Sequence, residues 1–165
     1  MTMSPWASVV KTVQYGLTGR IRFPRQHIGD VFIDANGQRF IVFREVVIKP
    51  GKGQPEKPGA VFIPHFHVAG MSPRANRLFS WLPLWFITGL PGFRSKRWLM
   101  DETTGDFSGY YEWDTVAAAQ QYADSFAMRF MTRRSRPESV WYHVYPTASA
   151  PLPPATSHRT SAQSS

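Results

Sequence analysis

Two histidines separated by one residue, His65 and His67, are the most suggestive chemical feature of the sequence. Side chains alternate between the two faces of a β-strand, so both imidazoles would lie on one face. An imidazole can remove a phenolic proton, and the resulting electron-rich anion reacts with oxygen. His143, in the last predicted strand, would lie nearby if that strand neighbours the first. We predict all three as candidate catalytic bases, with hydrogen-bonded sheet residues as the simpler and favoured interpretation.

A metal site built on His65 and His67 would need a further ligand, and Glu112 and His143 are the only obvious suppliers. We therefore predict no metal site. The sequence contains no cysteine, which excludes a disulfide scaffold, a zinc finger and a thiol nucleophile. It also lacks the glycine-rich nucleotide-binding motifs, G-x-S-x-G and H-E-x-x-H, so nucleotide-dependent enzymes, serine hydrolases and zincins are poor interpretations.

A dense set of aromatic residues could line a pocket for a flat ligand, with few polar groups to orient it. Packing in the core or at an interface explains most of the set as well. Asn76, near the start of a predicted helix, could hydrogen-bond a ligand oxygen or simply face water. The ligand-binding candidates are Asn76, Trp81, Trp85, Trp98 and Tyr110.

Arg94, Lys96 and Arg97 form a basic cluster on a predicted strand. The cluster could hold a carboxylate or phenolate substrate. We favour pairing with acidic residues of the following loop, or exposure to water, and such exposed pairs contribute only about 0–1 kcal/mol. The acidic residues available for this pairing are Asp101, Glu102 and Asp106.

Four strands and two helices that would position these residues are predicted between residues 59 and 146. Runs rich in β-branched and aromatic residues predict the strands. The order is β-α-β-β-α-β, which is typical of a ferredoxin-like α+β domain. The predicted strands are residues 60–68, 93–100, 107–113 and 140–145.

The first predicted helix carries apolar residues at helical spacing, which give it an apolar face. Asp114 can cap the second helix. Helices on one side would leave the other face of the sheet bare, although aromatic residues point to both faces. A second copy of the chain would cover it, so we predict a homodimer. The apolar helical face consists of Leu78, Trp81, Leu82 and Trp85.

Residues 1–58 are predicted to be an extension with a β-hairpin at Asn36-Gly37 and a linker rich in Pro and Gly. Residues 147–165, rich in Ala, Ser, Pro and Thr, are predicted to be a disordered tail. The net charge of +8 lies mostly in residues 1–57, which hold nine Lys/Arg and four Asp/Glu. The extension could contact an anionic membrane or a partner, although a solvated face is favoured. The nearly balanced domain argues against a nucleic-acid partner.

Neither a secretory signal nor an apolar run long enough to span a membrane is visible, so we expect a cytoplasmic protein.

Several motifs resemble the dimeric α/β-barrel superfamily, and within it the YdhR-type monooxygenase-like proteins, which are related to antibiotic-biosynthesis monooxygenases. The resemblance covers residues 59–146 and leaves out the N-terminal hairpin. Its motifs are structural, so no catalytic residue is carried over from the family. They are Leu90-Pro91-Gly92-Phe93 before the second strand, Lys96-x-Trp98 within it, Thr104-Gly105, and Gly109-Tyr110-Tyr111-Glu112-Trp113-Asp114.

The resemblance implies a homodimer whose two sheets close a barrel, with a hydrophobic pocket between helices and sheet in each protomer. Members oxidise phenolic or quinol-like compounds with oxygen and no added cofactor, while others cyclise polyketides, isomerise lactones or degrade haem. We therefore predict a cofactor-independent, monooxygenase-like enzyme acting on a small aromatic or polyketide-type compound. The alternatives are a cyclase or isomerase, a non-catalytic module binding a hydrophobic ligand or haem, and an interaction protein that uses residues 1–57.

Overall fold

The structure, a computed structural model, describes residues 4–70 and 72–154. One helix and three strands come before the central domain. They are α1 (Pro5–Leu17), β1 (Ile21–Arg22), β2 (Val31–Ile33) and β3 (Arg39–Ile48).

The central domain contains four strands, with two short helices in place of each predicted helix. In the sheet the order is β5-β6-β4-β7, and every neighbouring pair is antiparallel. This is the ferredoxin-like arrangement, so the predicted α+β fold class is confirmed. In chain order the elements are β4 (Ala60–Phe66), α2 (Pro73–Phe79), α3 (Trp81–Ile87), β5 (Phe93–Met100), β6 (Phe107–Trp113), α4 (Val116–Ala123), α5 (Phe126–Arg134) and β7 (Trp141–Pro146).

The N-terminal extension enlarges this sheet. β3 pairs antiparallel with β5, and β1 and β2 pair with opposite ends of β3. Between β2 and β3, the Asp34 side chain accepts hydrogen bonds from the backbone N–H groups of Asn36 and Gln38, both at 2.8 Å. Gly37 has a φ of 80°, which a residue without a side chain adopts at little cost. Turn chemistry therefore fixes how β2 meets β3.

The sheet has an apolar core on each of its faces. On the helix face, Phe62 and Trp113 pack with Leu84 of α3 and Tyr122 of α4. On the opposite face, called the outer face here, Phe32 of β2 packs with residues of β3, β4, β5 and β6. The N-terminal extension thus covers part of the face that the sequence left bare. The buried residues of this outer core are Phe32, Phe40, Val42, Val61, Ile63, Leu99 and Tyr110.

Residues 147–154 also lie on the outer face. Thr147–Ser149 forms a single 3₁₀ turn, and Ala150 packs against the outer core. The Tyr110 hydroxyl donates a hydrogen bond of 3.0 Å to the carbonyl of Pro151. The predicted tail therefore differs from the structure at its start, because these contacts hold it on the sheet. Residues 155–165 lie outside the described part of the chain.

The apolar face predicted for the first helix is exposed in the structure. Trp81 and Leu82 are each 44% exposed, whereas Leu84 and Ile87 are buried against the sheet. Because α3 is apolar on all sides, helical spacing identifies which residues share a face but not which face packs on the sheet. The residues of the predicted face that are exposed are Leu78, Trp81, Leu82 and Trp85.

The second helix pair begins at Thr115 and not at the predicted cap, Asp114. The Thr115 side chain accepts a hydrogen bond of 3.1 Å from the Ala118 N–H. The Asp114 carboxylate lies 2.7 Å from Nε of buried Arg94 and accepts a hydrogen bond of 3.0 Å from Gln54. Its partners are therefore a buried cation and the linker.

Candidate functional site

Three cavities lie between the helices and the sheet. The one with the greatest volume, about 620 Å³, is a more open space along α4, α5 and β7. The other two lie beside β6, and the larger of these two, called the larger cavity here, measures about 270 Å³ and lies among α1, the end of α3, β6, α4 and α5. Its lining is mostly apolar and aromatic, as is usual for pockets that bind small molecules. Among its lining residues are Ser8, Phe86, Trp113, Tyr122 and Phe126.

Trp113 is a wall residue of the larger cavity that carries an unpaired polar atom. Its side chain is 1% exposed, and its indole Nε1 has no hydrogen-bond partner among the described residues. A buried donor without a partner is costly and uncommon.

The smaller cavity measures about 40 Å³ and is lined by Lys96 together with residues of β4, β5, β6, α3 and α5. Lys96 is 4% exposed, and its Nζ atom lies 4.3 Å from the ring centroids of both Trp98 and Tyr111. No carboxylate pairs with Lys96 within residues 4–70 and 72–154. An amine in an aromatic cavity, without a counter-ion, is a typical candidate for a functional group.

The protonation of Lys96 follows from these surroundings. Burial, and after it repulsion from the Arg44 guanidinium, lower the pKa of Lys96 well below the ordinary lysine value. The two ring faces favour the protonated form and offset part of this effect. Burial is the larger influence, so Lys96 holds a free amine more readily than an exposed lysine does.

A row of adjacent side chains joins the two cavities. Tyr111 lines the smaller cavity and Tyr122 lines the larger one, and their ring centroids lie 5.3 Å apart. The ring of Tyr122 lies 5.1 Å from that of Trp113. Burial raises the pKa of both tyrosines, so their hydroxyls stay protonated at neutral pH. Lys96, Tyr111, Tyr122 and Trp113, called the Lys96–Trp113 row here, thus run along the helix face.

The predicted catalytic histidines lie on the outer face, away from both cavities. His65 stacks on Trp141 with 4.9 Å between ring centroids, and its Nδ1 donates a hydrogen bond of 3.2 Å to the Ser139 carbonyl. His67 Nδ1 donates to the Asp106 carboxylate, which also lies 3.6 Å from His65 Nε2. His65 and His67 therefore act here as hydrogen-bonded residues at the C-terminal end of β4, an inner strand of the sheet.

Asp106 anchors this histidine pair. Burial alone would raise its pKa, but hydrogen bonds from Gln38 and His67 outweigh that effect and the pKa of Asp106 is lowered. The third predicted base, His143, is exposed on β7, where its ring lies 5.3 Å from that of Trp141. Within the described part of the chain, no group of three or more His, Asp or Glu side chains could hold a metal ion.

The structure separates the predicted ligand-binding residues. Trp98 lies in the smaller cavity, but Tyr110 lies on the outer face. Trp81 and Trp85 are exposed on α3. Asn76 lies on α2, and its side chain is outside the described residues. The predicted catalytic histidines and most of the predicted ligand-binding residues therefore do not lie in one site.

The basic cluster on β5 is also divided between the faces. Arg97 lies on the outer face, where its Nε donates a hydrogen bond of 2.9 Å to buried Glu45. Neither Arg97 nor Lys96 pairs with the acidic residues of the β5–β6 loop, as the sequence had suggested, because both lie in the middle of β5, opposite Tyr110 and Tyr111 of β6. Lys96 shares its face with Trp98 and Met100, so alternation from these two residues indicates its face, although alternation from Phe93 does not.

Comparison with solved structures supports the ferredoxin-like fold. A haem-degrading enzyme from Listeria monocytogenes aligns with a TM-score of 0.51 and 14% identity, covering 76% of this chain and 96% of that one. A ferredoxin-fold protein related to antibiotic biosynthesis monooxygenases, also from Listeria monocytogenes, aligns with a TM-score of 0.48 and 15% identity, covering 67% of this chain. This chain spans 64% of the length of that protein.

At these identities the likeness concerns the fold alone. The superfamily to which the sequence motifs point, and the YdhR subtype within it, stay predictions. No family model matches the chain, and no curated protein matches it.

Proposed function

We propose that this protein is a monooxygenase-like enzyme that acts on a small aromatic compound between the helices and the sheet, without an added cofactor. The observation that carries the proposal is buried Lys96, whose amine faces an aromatic cavity with no paired carboxylate. The sequence-based hypothesis placed the base at His65 or His67. Because both lie on the outer face, the proposal assigns the base to Lys96.

The reaction needs only oxygen and a substrate with an acidic C–H bond, such as the methylene group of an anthrone. The free amine of Lys96 removes one proton, and the carbanion transfers electrons to oxygen, with formation of a C–O bond. The resulting hydroperoxide loses water and leaves a carbonyl group. One oxygen atom enters the product, the other enters water, and the substrate supplies all the electrons.

The Lys96–Trp113 row supports this assignment. The larger cavity has room for an aromatic ring system, and its wall includes Trp113, whose indole Nε1 has no hydrogen-bond partner among the described residues. Rotation of Tyr122, which separates the cavities, would bring the substrate to Lys96. Tyrosine hydroxyls that stay protonated stabilise a developing oxyanion by donating hydrogen bonds.

Oxygen uptake with hydroquinones, anthrones and naphthols tests the proposal. We expect turnover of at least one compound, and a loss of roughly 100-fold or more in kcat for Lys96→Met, since general-base catalysis contributes at least that factor. The matched control is His65→Ala/His67→Ala, for which we expect turnover close to that of the unchanged protein. Full activity of Lys96→Met, or loss of activity only in the histidine variant, would contradict the assignment of the base to Lys96. The base would then be assigned to the outer face.

A non-catalytic module for a hydrophobic ligand is the second candidate function. The observation in its favour is that the larger cavity is lined by Trp113, with its unpaired donor, but by neither a histidine nor a carboxylate. Calorimetric binding of naphthols without any oxygen uptake would support this function and contradict the enzyme.

A further inference from the structure

Helix α1 shows the reverse of ordinary amphipathic packing. The residues it buries are Ser8 and Thr12, which are 1% and 0% exposed. Thr12 donates a hydrogen bond of 2.9 Å to the Trp85 carbonyl, and Ser8 donates to the Phe86 carbonyl of α3. Its apolar row points away from the protein. This row comprises Trp6, Val10, Val13 and Leu17, of which Trp6 is 80% and Leu17 84% exposed.

The neighbouring helices α2 and α3 present a second exposed apolar row. Leu78 is 74% exposed and Trp85 45% exposed. Phe23, 48% exposed, contacts Trp81 with 5.9 Å between ring centroids. The two rows lie on α1 and on α2–α3, and α1 packs on α3; together they are called the helix surface here. Apolar exposure on this scale marks a binding surface.

The charges around the helix surface are mainly basic. Residues 4–23 and 72–89 contain five basic residues and no Asp or Glu, and one of the five, Arg77, pairs with Glu102 of the β5–β6 loop at 3.1 Å. Arg44 adds a further cation, because its guanidinium stacks 3.9 Å from the Trp81 ring centroid. The five basic residues are Lys11, Arg20, Arg22, Arg74 and Arg77.

This charge distribution indicates which kind of partner binds the helix surface. A second copy would bring two sets of unbalanced cations together, and like charges across an interface are unfavourable. An anionic lipid surface complements them, and Trp and Leu side chains lie favourably at the boundary between headgroups and acyl chains. No helix in the described part of the chain is long and apolar enough to cross a membrane.

We propose that the helix surface binds the interface of an anionic lipid bilayer, with the apolar rows of α1 and α2–α3 inserted among the headgroups. Phe86 of α3 lines the larger cavity and Pro83 of α3 lines the smaller one. The bound membrane therefore lies next to both cavities. This proposal does not depend on the proposed function.

Co-sedimentation with vesicles tests the proposal. We expect the full chain to bind vesicles of phosphatidylcholine and phosphatidylglycerol, and to bind weakly to phosphatidylcholine alone. Trp6→Ser/Leu17→Ser lowers the partition coefficient by roughly 100-fold, because two side chains lose apolar contact. Lys11→Gln/Arg74→Gln lowers it by about tenfold, and added salt does the same.

Leu152→Ser is the matched control, since Leu152 is 85% exposed beside the outer face, and we expect it to bind like the unchanged chain. The substituted residues are exposed, so thermal unfolding should report folded variants. Failure of the unchanged chain to bind anionic vesicles, equal binding to neutral ones, or binding unaffected by the Trp6/Leu17 variant would each overturn the proposal. A dimer that dissociates in that variant, without vesicle binding, would assign the surface to a second copy.

Discussion

Lys96 shows how one residue can conflict with the stability of its own fold. Its amine lies under the helices among aromatic rings, where burial disfavours the charged form. A methionine of similar length would fill the same space without a charge. Keeping a lysine here weakens the folded state, which is a common cost of functional groups.

Lys96→Met should therefore raise the free energy of unfolding at neutral pH. In the unfolded chain the pKa of Lys96 is near the ordinary 10.5, and in the folded chain it is lower. Unfolding therefore takes up a proton between these two values, so the stability of the unchanged protein rises with pH across that window. Each pH unit of separation corresponds to about 1.4 kcal/mol, which Lys96→Met recovers.

Urea unfolding at a series of pH values from about 6 to 10 measures this effect. The difference between the variant and the unchanged chain should shrink as pH approaches the unfolded-state pKa. Tyrosine titration cancels in the difference, because both proteins keep the same tyrosines. Lys52→Met is the control, since Lys52 is exposed, and should give no pH-dependent difference. A constant difference for Lys96→Met would mean that Lys96 is protonated in the folded protein.

The sequence shows a lysine at position 96, but it does not show which side chains surround it in the fold. Strict alternation from Phe93 would place Lys96 on the face opposite to Phe93. A register shift between Phe93 and Ser95 brings Phe93 and Lys96 to the same face. Such bulges depend on how two strands pair and leave little trace in one strand's sequence.

At the scale of elements, the contact between α1 and α3 depends on small residues. A Cβ atom at Gly89 would lie 2.0 Å from the Ser8 carbonyl oxygen, so only glycine allows this approach. Thr12 adds a hydrogen bond to Thr88, with 2.8 Å between the two hydroxyl oxygens. Close approach and hydroxyl–carbonyl hydrogen bonds therefore hold α1 against α3, and Tyr15 adds apolar packing against the core.

Gly89→Ala should separate α1 from α3. The clash is with backbone, which cannot rotate away, so the hydrogen bonds of Ser8 and Thr12 are lost with it. We expect a decrease of roughly 2–4 kcal/mol in the free energy of unfolding, measured by urea denaturation.

Gly16→Ala is the matched control on α1, where an added Cβ meets nothing within 4 Å. It should stabilise the protein by about 0.5–1 kcal/mol, because alanine favours a helix. A neutral effect of Gly89→Ala would show that α1 does not dock as closely as described.

Element types were more predictable than element faces. The strands of the central domain follow the predicted runs closely, because β-branched and aromatic residues bounded by turn residues specify strands locally. The exposed side of α2–α3 was not predicted, since its apolar spacing is independent of what lies beneath it. A prediction for a site residue also needs to know which face of its helix or strand points into the fold. For this reason the surroundings of Trp81, Trp85 and Lys96 were not predicted correctly.

For the whole molecule, the outer face of the sheet decides how two chains could associate. The extension and residues 147–154 cover its centre. Its margin on β7 stays partly open, where the ring of His143 lies 5.3 Å from Trp141 and 5.8 Å from Tyr145. The predicted homodimer would have to use this margin.

Light scattering should show a dimer at micromolar concentrations if this prediction holds. His143→Glu should weaken it by about tenfold or more, because the change buries an unpaired carboxylate among aromatic rings at the interface. Gln120→Glu places the same charge on exposed α4 and should leave the dimer unchanged. If the unchanged chain is a monomer at all micromolar concentrations, the prediction of a homodimer is wrong.

The pairing of β3 with β5 has a consequence for the behaviour of the chain at high concentration. Without β3, the eight residues of β5 would form an edge with unpaired backbone groups, a template to which other chains can add strands. With β3 in place, that edge passes to β1 and β2, which have two and three residues. Strands this short give an incoming chain little to pair with. The extension therefore shields this edge of the sheet against aggregation, while the six residues of β7 form the opposite edge.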